Sequence, residues 1–214
     1  MILIRQFDSP FVRRVAVSLN RLAIPFEHRN WSVGKDFDLI RRFNPLGRVP
    51  ALVLSSGESV VESAAILDYL DELVGPDRAL LPRSGTDRRI ALHLMALATG
   101  AADKGVQQIV EYAFRPEEKR HTPWVERCRT QMLAAVAMLE QEAQSRGTAW
   151  LVANRITQAD ITVGCVMRFL REAQAINRDS VDFPTLANLS ARCEALPAFR
   201  AAPFAAFLPP VPAR

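Results

Sequence analysis

The hydrophobic pattern of this chain changes near residue 82, and that change constrains the fold more than any other feature. Before it, short runs typical of strands are interleaved with apolar residues at helical spacing. After it, the strand signals stop and helical spacing continues over most of the remaining chain. The sequence therefore predicts an α/β domain over residues 1–77, a linker over 78–86 and an all-α domain over 87–214.

The predicted first domain begins with a strand, a helix and a second strand. Residues 2–7 have the pattern of a short strand, and Ser9 with Pro10 marks the start of a run at helical spacing. Residues 26–31 form the predicted second strand. Because a helix connects the two strands, we expect them to pair in parallel.

The rest of this domain contains a hairpin and a further helix. Residues 35–43 form either a short polar helix or a loop. Residues 50–54 and 59–62 flank a Ser-Ser-Gly-Glu turn and predict a β-hairpin. Ser63 is the predicted N-cap of a helix that ends before Gly75. The predicted order of elements is βαβαββα.

The predicted second domain consists of helices. The helical ranges are 87–113, 123–145, 157–177 and 184–195. Thr157 and Asp160 have the spacing of a capping box, with the shorter Asp in place of Glu, so we expect them to act in folding and not in catalysis. The Pro-rich residues 207–214 are a predicted surface tail.

The composition argues against several kinds of site. Three widely spaced cysteines and three histidines form no metal-binding pattern, so we predict reduced thiols and no metal. The net charge of +4 is spread over separated arginine pairs and suits a small anionic ligand as well as nucleic acid, for which no binding motif is present. The chain has neither a long apolar run nor a secretory signal pattern, so we expect a soluble cytoplasmic protein without nucleic-acid or membrane partners.

Three short motifs carry the functional signal. They are Ser9-Pro10-Phe11, Arg48-Val49-Pro50 and Glu62-Ser63. Each is common alone, because Ser-Pro often starts a helix, Val-Pro often forms a turn and Glu-Ser is an ordinary dipeptide. Their order and spacing make the combination specific.

Together with the predicted elements, these motifs resemble the glutathione transferase family. Ser9-Pro10-Phe11 resembles the start of its serine-type bacterial and plant members, and residues 44–50 resemble their second loop. Residues 62–66 resemble a third motif, and residues 157–161 resemble the helix start in the family's second domain. The resemblance covers nearly the whole chain. It implies a thioredoxin-like domain followed by a helical bundle, glutathione as co-substrate, and a homodimer.

Ser9 is the catalytic residue that the resemblance implies. A free thiol has a pKa of about 8.5, so only a few per cent is thiolate at neutral pH. A hydroxyl that donates to the sulfur, at the positive end of a helix, favours the thiolate. Lowering the thiol pKa by two units requires about 2.7 kcal/mol, which a hydrogen bond to a charged acceptor, at about 1.5 to 3 kcal/mol, largely supplies. The alternative is that Ser9 is only an N-cap.

The resemblance also implies a set of residues that bind glutathione. They are Lys35, Arg48, Val49, Pro50, Glu62 and Ser63. A cis peptide bond before Pro50 would turn the backbone of Val49 toward the cysteinyl group of glutathione. An ordinary trans proline at a strand start is the alternative.

The remaining binding residues are charged or lie at a helix start. The resemblance implies that Glu62 binds the ammonium group of glutathione, and that Ser63 with the first amides of its helix binds the γ-glutamyl carboxylate. Arg48 or Lys35 would bind the glycyl carboxylate. The alternatives are that Glu62 is a solvated carboxylate near a helix start and that Lys35 is an exposed surface residue.

A second substrate is expected in an apolar pocket between the two predicted domains, since a hydrophobic electrophile must reach the sulfur. The candidate lining residues are Phe7, Phe11, Trp31, Gln108, Tyr112 and Phe114. A core role is the alternative for each and is favoured for Phe7. In the implied homodimer, Asp103 is a candidate to reach the partner's site.

Two positions depart from the family's pattern. Asp8 precedes Ser9, and an anion beside a thiolate opposes its formation unless the anion points away or pairs with an arginine such as Arg13. Ala153-Asn154 stands where many relatives have a glycine and an acidic residue, a change that affects a turn. No Cys stands near position 9, so glutaredoxin-like chemistry is not expected.

The motifs leave the reaction open. Addition of glutathione to a hydrophobic electrophile is the leading hypothesis. The same motifs also fit reductive dehalogenation, ether cleavage or isomerisation. A non-catalytic interaction module is a third possibility because one fold can host unrelated functions, but the intact set of site motifs argues against it.

Overall fold

The computed structural model describes residues 1–173 and 183–205. The described chain forms two compact units, the first made of residues 1–83 with 195–205 and the second of residues 84–194. The first unit is therefore discontinuous in sequence.

The described part of the first unit contains four strands and four helices. In chain order they are β1 Ile2–Ile4, α1 Pro10–Arg21, β2 Glu27–Arg29, α2 Phe37–Arg41, β3 Ala51–Val53, β4 Ser59–Val61, α3 Ser63–Val74 and α8 Pro197–Arg200. The predicted order βαβαββα is confirmed for the first seven elements. Residues 35–43 contain a helix, α2, and α8 was not predicted.

The strands form one four-stranded sheet in the order β2-β1-β3-β4. β1 and β2 are parallel, as expected, with Ile2 opposite Glu27. β3 is antiparallel to both β1 and β4. The hairpin of β3 and β4 is thus joined to the parallel pair through β1.

β1 is shorter than the predicted strand at residues 2–7 because the chain turns at Arg5. This residue has a positive φ of 103°, which a strand does not accommodate. Its N–H still donates to the carbonyl oxygen of Arg29 at 2.8 Å. The chain therefore leaves the sheet here and approaches α1 through residues 6–9.

Apolar side chains cover both faces of the sheet. Ile4, Ala51 and Val53 cluster with Ile40 of α2, and each is at most 6% exposed. Leu3 and Leu52, which are paired across β1 and β3, are fully buried. Since neighbouring residues in a strand point to opposite faces, this second set lies on the face away from α2.

The segment 195–205 packs on α1 through α8. The Nε of Arg13 donates to the carbonyl oxygen of Ala202 at 2.8 Å, and its Cζ lies 5.5 Å from the ring centroid of Phe199. Asn20 donates from Nδ2 to the carbonyl oxygen of Ala198 at 3.2 Å. The predicted range 87–214 for the second domain therefore needs correction, because residues 195–205 complete the core of the first unit.

The second unit is helical in its described residues. Its helices are α4 Gly85–Phe114, a short 3-10 helix Glu117–Lys119, α5 Thr122–Arg146, α6 Gln158–Ala173 and α7 Pro184–Glu194. α4 packs against α5 and α6, and α7 packs against α5 and α6. The end of the predicted helix 157–177 and the predicted tail 207–214 lie outside the described residues.

The predicted capping pair starts α6. The carboxylate of Asp160 accepts the N–H of Thr157 and the Thr157 hydroxyl, both at 2.8 Å, and it accepts the N–H of Leu151 at 2.7 Å. Asp160 is completely buried. Burial raises the pKa of this carboxyl group, and the hydrogen bonds offset only part of that effect. The prediction of a structural capping pair is confirmed.

Candidate functional site

The predicted glutathione motifs meet at one end of the sheet. Ile4 at the end of β1 pairs with Ala51 at the start of β3, and Ala51 pairs with Val61 at the end of β4. Because β3 is antiparallel to both neighbours, the chain leaves β1, enters β3 and leaves β4 at the same end. The motif residues that adjoin these three points are Ser9, Val49, Pro50, Glu62 and Ser63.

Ser9 is the N-cap of α1, as predicted. Its Oγ accepts the N–H of Val12 at 3.4 Å, and Pro10 follows as the first helical residue. A hydroxyl has one hydrogen to donate and two lone pairs that accept. The cap contact uses one lone pair, so the O–H of Ser9 can still donate to another group at the positive end of α1.

The loop before β3 is built around Asn44, which is almost fully buried. Its Nδ2 donates to the carbonyl oxygen of Arg48 at 2.8 Å, and its Oδ1 accepts the N–H of Leu46 at 3.1 Å. The Val49-Pro50 peptide bond is cis, as the resemblance implied. Asn44 thus fixes the backbone directly before the cis bond.

Arg48 forms an ion pair with Glu62, and Lys35 takes no part in it. The Nε of Arg48 lies 3.7 Å from Oε1 of Glu62, and their side chains are 60% and 54% exposed. An exposed pair of this kind contributes little to stability, so both side chains can exchange partners. Lys35 is exposed in the loop before α2 and has no ionic partner within residues 1–173 and 183–205.

The prediction that Ser63 caps α3 is wrong. Glu62 occupies the N-cap position with a φ of 69°, and no side chain caps this helix. Ser63 is the first helical residue, and its Oγ accepts a hydrogen bond of 2.7 Å from Nη2 of Arg14. The hydroxyl is therefore engaged by a residue of α1 and does not turn back onto the first amides of α3.

Asp8 pairs with Arg5, and not with Arg13 as suggested from the sequence. The Asp8 carboxylate lies 3.2 Å from Nη2 of Arg5, and both side chains are largely buried. Burial raises the pKa of the Asp8 carboxyl group, and the charge of Arg5 offsets this in part. Arg13 is unavailable because its side chain is buried against α8. The acidic neighbour of Ser9 is thus partly neutralised within the same loop.

The aromatic candidates of the first unit differ in their surroundings. Phe7 stacks on the ring of His28 with centroids 3.9 Å apart, and Trp31 packs beside Phe43 with centroids 6.1 Å apart. Trp31 also adjoins the core cluster on the α2 face. Phe11 is partly exposed on α1. These placements favour packing roles for Phe7 and Trp31 and leave Phe11 accessible.

The candidate substrate-contacting residues of the second unit differ in burial. Gln108 is 1% exposed and its Nε2 donates to the Lys104 carbonyl oxygen at 3.2 Å and to the Met132 sulfur at 3.6 Å. This placement favours packing between α4 and α5 over contact with a substrate. Tyr112 is partly exposed, with the Cζ of Arg120 5.2 Å from its ring. Phe114 at the end of α4 is 62% exposed.

Arg14 is a site residue that the sequence did not reveal as one. Arg13 and Arg14 form one of the arginine pairs over which the net charge is spread, but the two residues are 0% and 3% exposed. The available signal was their position inside the run 12–19 of α1, whose other residues are apolar except for Ser18. A charged residue enclosed by apolar neighbours in a helix usually has a specific partner.

Residues 1–173 and 183–205 contain neither a helix that could span a membrane nor a cluster of potential metal ligands. None of their helices is long and apolar enough to cross a membrane. Their His, Cys, Asp and Glu side chains form no group of three or more that could hold a metal ion.

Comparison with known proteins gave consistent matches. Residues 3–78 match the family model for the glutathione S-transferase N-terminal domain, and residues 102–197 match the model for the C-terminal domain. A relative from Escherichia coli K12, described as the uncharacterized GST-like protein YibF, is 31% identical over 189 residues. That match covers 88% of this chain and 91% of the relative.

Solved structures with the same fold include two that contain glutathione or a derivative. A glutathione S-transferase from Methylobacterium radiotolerans, in complex with glutathione sulfonate, has a TM-score of 0.87 and 31% identity, with 99% of each chain covered. A glutathione transferase family member from Pseudomonas fluorescens Pf-5, with bound glutathione, has a TM-score of 0.82 and 32% identity, with 98% of this chain and 99% of that chain covered.

Proposed function

Because this chain belongs to the glutathione S-transferase family, we propose that it binds glutathione and joins its sulfur to a hydrophobic electrophile, with Ser9 stabilising the thiolate. The observation that carries the proposal is the place of Ser9 at the N-cap of α1, where its hydroxyl hydrogen remains available. The adjacent motifs at the same end of the sheet supply the remaining ligand contacts.

Ser9 acts on the sulfur as a hydrogen-bond donor and not as a nucleophile. A donor to an anion stabilises it by about 1.5 to 3 kcal/mol, which corresponds to a thiol pKa lowered by roughly one to two units. The positive end of α1 acts in the same direction. In a substitution, the thiolate sulfur forms the new C–S bond while the leaving group departs with its electron pair. In a conjugate addition, a proton from solvent completes the product.

We assign a protein residue to the cysteinyl backbone of glutathione and to each of its charged groups. The Val49 backbone pairs with the cysteinyl unit as an added strand would. Glu62 binds the ammonium group, and Ser63 with the first amides of α3 binds the γ-glutamyl carboxylate. Arg48 binds the glycyl carboxylate, with Lys35 as the second candidate. Exposure of Arg48 and Glu62 in a weak ion pair supports these roles, since both can exchange partners at little cost.

The electrophile is a hydrophobic small molecule whose identity no motif specifies. Phe11 is the residue proposed to contact it, because it is a partly exposed aromatic side chain near Ser9 in α1. The protein is proposed to be a homodimer, with Asp103 as a candidate contact to the partner's site. Sedimentation at several concentrations tests the dimer separately from the chemistry.

The proposed chemistry is tested by the ultraviolet absorbance of bound thiolate as a function of pH, for the wild type and Ser9→Ala. Ser56→Ala is the matched control, because Ser56 also accepts a backbone N–H at 3.4 Å but in the turn between β3 and β4. We expect a depressed thiol pKa in the wild type and in the control. In Ser9→Ala it should rise toward about 8.5, and turnover should fall by roughly 10- to 100-fold.

The three possible results separate the competing functions. Full turnover in a folded Ser9→Ala variant contradicts the role of Ser9. Binding of glutathione without a depressed pKa points to another glutathione-dependent reaction, which product analysis then identifies. Absence of binding at millimolar glutathione points to a non-catalytic interaction module.

A further inference from the structure

The second unit contains a cavity of about 150 Å³ between the end of α5, the segment that follows it and α7. Arg146 lines it from α5, Trp150 from the segment, and Asn188 and Arg192 from α7. Residues 188 and 192 are four positions apart, so they lie on one face of that helix. None of the described residues that line this cavity is acidic. Its charged lining groups are therefore both cations.

Buried apolar side chains form another part of the lining. They are Ala143, Leu151 and Leu189, each at most 5% exposed. An apolar cavity of about 150 Å³ holds a molecule the size of benzene. The cavity therefore has room for one small ring against an apolar surface, with cationic groups beside it.

Arg146 has donors that the described residues leave unused. Its Nη2 donates to Oε2 of Glu142 at 2.6 Å. Its Nε is shielded from solvent and contacts no acceptor in residues 1–173 and 183–205. Arginine has five N–H donors, and shielded N–H groups in proteins normally have a partner. Arg146 can thus bind a further acceptor.

Arg192 is oriented by the segment that lines the cavity. Its Cζ lies 5.7 Å from the ring centroid of Trp150, and its Nη1 donates to the carbonyl oxygen of Ala149. These contacts leave other N–H groups of the guanidinium for a ligand. Asn188 adds an amide group on the same face of α7.

Two carboxylates of α5 lie beside these lining residues, and both are engaged. Glu142 pairs with Arg146. Glu140 accepts the N–H of Thr185 at 2.9 Å, so its charge is directed to the start of α7. The groups left to meet a ligand are therefore hydrogen-bond donors and apolar side chains.

We propose that this cavity binds a small carboxylate with a compact apolar body, of about the size of benzoate. The ring lies on the buried apolar residues, and the carboxylate lies between Arg146 and Arg192, which suit it because guanidinium groups bind carboxylates through paired N–H donors. The inference goes beyond the proposed function, since the cavity contains none of the residues assigned to glutathione.

The test titrates three probes and follows the indole N–H of Trp150 by NMR, assigned with Trp150→Phe. Benzoate has the charge and the ring, benzamide has the ring without the charge, and inorganic phosphate has charge without an apolar body. The indole groups of Trp31 and Trp124 report binding elsewhere.

Arg146→Gln tests the cationic lining, and Arg168→Gln is the matched control. Arg168 also pairs with an acid four positions away, Glu172, at 3.4 Å. Its Nε also lacks an acceptor in the described part of the chain. It is not among the residues that line the cavity, so only the position of the arginine differs.

We expect benzoate to shift the Trp150 signal with a Kd on the order of 1 mM. Arg146→Gln should raise that Kd by about 10-fold, as for a lost charge-assisted hydrogen bond. Arg168→Gln should leave it within about two-fold. Benzamide and phosphate should each bind the wild type at least about 10-fold more weakly than benzoate.

Several results would overturn the proposal. A Trp150 signal that does not respond to benzoate would show that the cavity does not bind it, and equal affinities in Arg146→Gln and Arg168→Gln would show that Arg146 does not hold the carboxylate. Benzamide binding as tightly as benzoate would contradict the role of charge. Phosphate binding as tightly would contradict the role of the apolar body.

A second variant serves if Arg146→Gln does not fold. Asn188→Asp places a carboxylate at an exposed position of the lining, so benzoate should bind at least about 10-fold more weakly and benzamide should be unaffected. Unchanged benzoate binding would again overturn the proposal. Failure to bind glutathione, with the benzoate response of Trp150 intact, would contradict the proposed function alone.

Discussion

Glu140 in α5 accepts the backbone N–H of Leu186 in α7, with Oε2 and N 2.9 Å apart. Its Oε1 accepts the N–H of Thr185 at the same distance and a hydrogen bond from Gln144 at 2.8 Å. The first N–H groups of a helix have no partner within that helix. The buried carboxylate of Glu140 therefore caps α7 from a different helix.

Replacing Glu140 by alanine should destabilise the second unit. Two amides would lose their acceptor, at roughly 1 to 3 kcal/mol for each buried group left unsatisfied. Urea unfolding measures this change. Glu142→Ala is the control, because Glu142 forms only a partly exposed pair with Arg146 in the same helix and should cost less than about 1 kcal/mol. Equal losses in the two variants would contradict the capping role.

The contribution of Glu140 to the free energy of unfolding should decrease as the pH falls. Burial raises the pKa of this carboxyl group, but its hydrogen bonds more than offset burial and leave the pKa below its usual value. Its stabilising effect is then present above the unfolded pKa of about 4.3 and is lost as the pH falls through the lower folded value. The difference in unfolding free energy between wild type and Glu140→Gln should shrink in acid.

Asp160 should show the opposite trend. Its folded pKa is raised by burial, so its contribution is fully present below the unfolded pKa of about 3.9 and declines as the pH rises through the folded value. Asp160→Asn leaves one acceptor oxygen for three donors and should cost about 1 to 3 kcal/mol. The difference from wild type in urea unfolding should be smaller at pH 7 than in acid. A difference that grows with pH would contradict the raised pKa.

Gly47 and Gly57 allow backbone strain to be separated from a steric clash. Both have positive φ, but a Cβ on Gly47 would overlap the ring of Phe37, whereas a Cβ on Gly57 would meet nothing within 4 Å. An alanine in this region costs about 1 to 2 kcal/mol. Thermal unfolding should show that Gly47→Ala loses more stability than Gly57→Ala.

A double variant tests whether the ring of Phe37 causes the larger loss of stability expected for Gly47→Ala. Phe37→Ala removes the ring, so adding Gly47→Ala to that variant should cost no more than Gly57→Ala costs in the wild type. An unchanged penalty in the Phe37→Ala background would show that the ring is not its source.

Asp8 should oppose thiolate formation at the neighbouring site. Asp8 is largely buried but its charge is partly offset by Arg5, so we expect a net effect on the thiolate of less than about 1 kcal/mol, or roughly half a pKa unit. Asp8→Asn should therefore lower the pKa of bound glutathione by about that amount, measured by thiolate absorbance. Asp38→Asn is the control, since Asp38 is an exposed residue of α2 paired with Arg41. A thiol pKa that rises in Asp8→Asn would contradict the electrostatic effect.

The sequence was sufficient where structure depends on local signals. Ser9 with Pro10 predicted the start of α1, and Thr157 with Asp160 predicted the start of α6, because capping residues contact groups only three positions away. The order of strands and helices followed in the same way from hydrophobic spacing. The parallel pairing of β1 with β2 required only the connecting helix.

The sequence was insufficient where a distant contact decides the outcome. Ser63 has the side chain of an N-cap, but its hydroxyl is held by Arg14, 49 positions earlier in the chain. Arg13 was offered as a partner for Asp8, but a carbonyl 189 positions later binds it. α8 has four residues and a pattern too short to predict, and its packing on α1 has no local signal.

Because residues 195–205 belong to the first unit, this unit cannot finish folding early in synthesis. The first unit uses the beginning of the chain, but Phe199 and Ala202, which pack on α1, are translated after residues 84–194 of the second unit. A nascent chain that has emerged only as far as residue 83 therefore has an incomplete α1 surface. The core of the first unit can therefore be completed only after residues 84–194 have been synthesised.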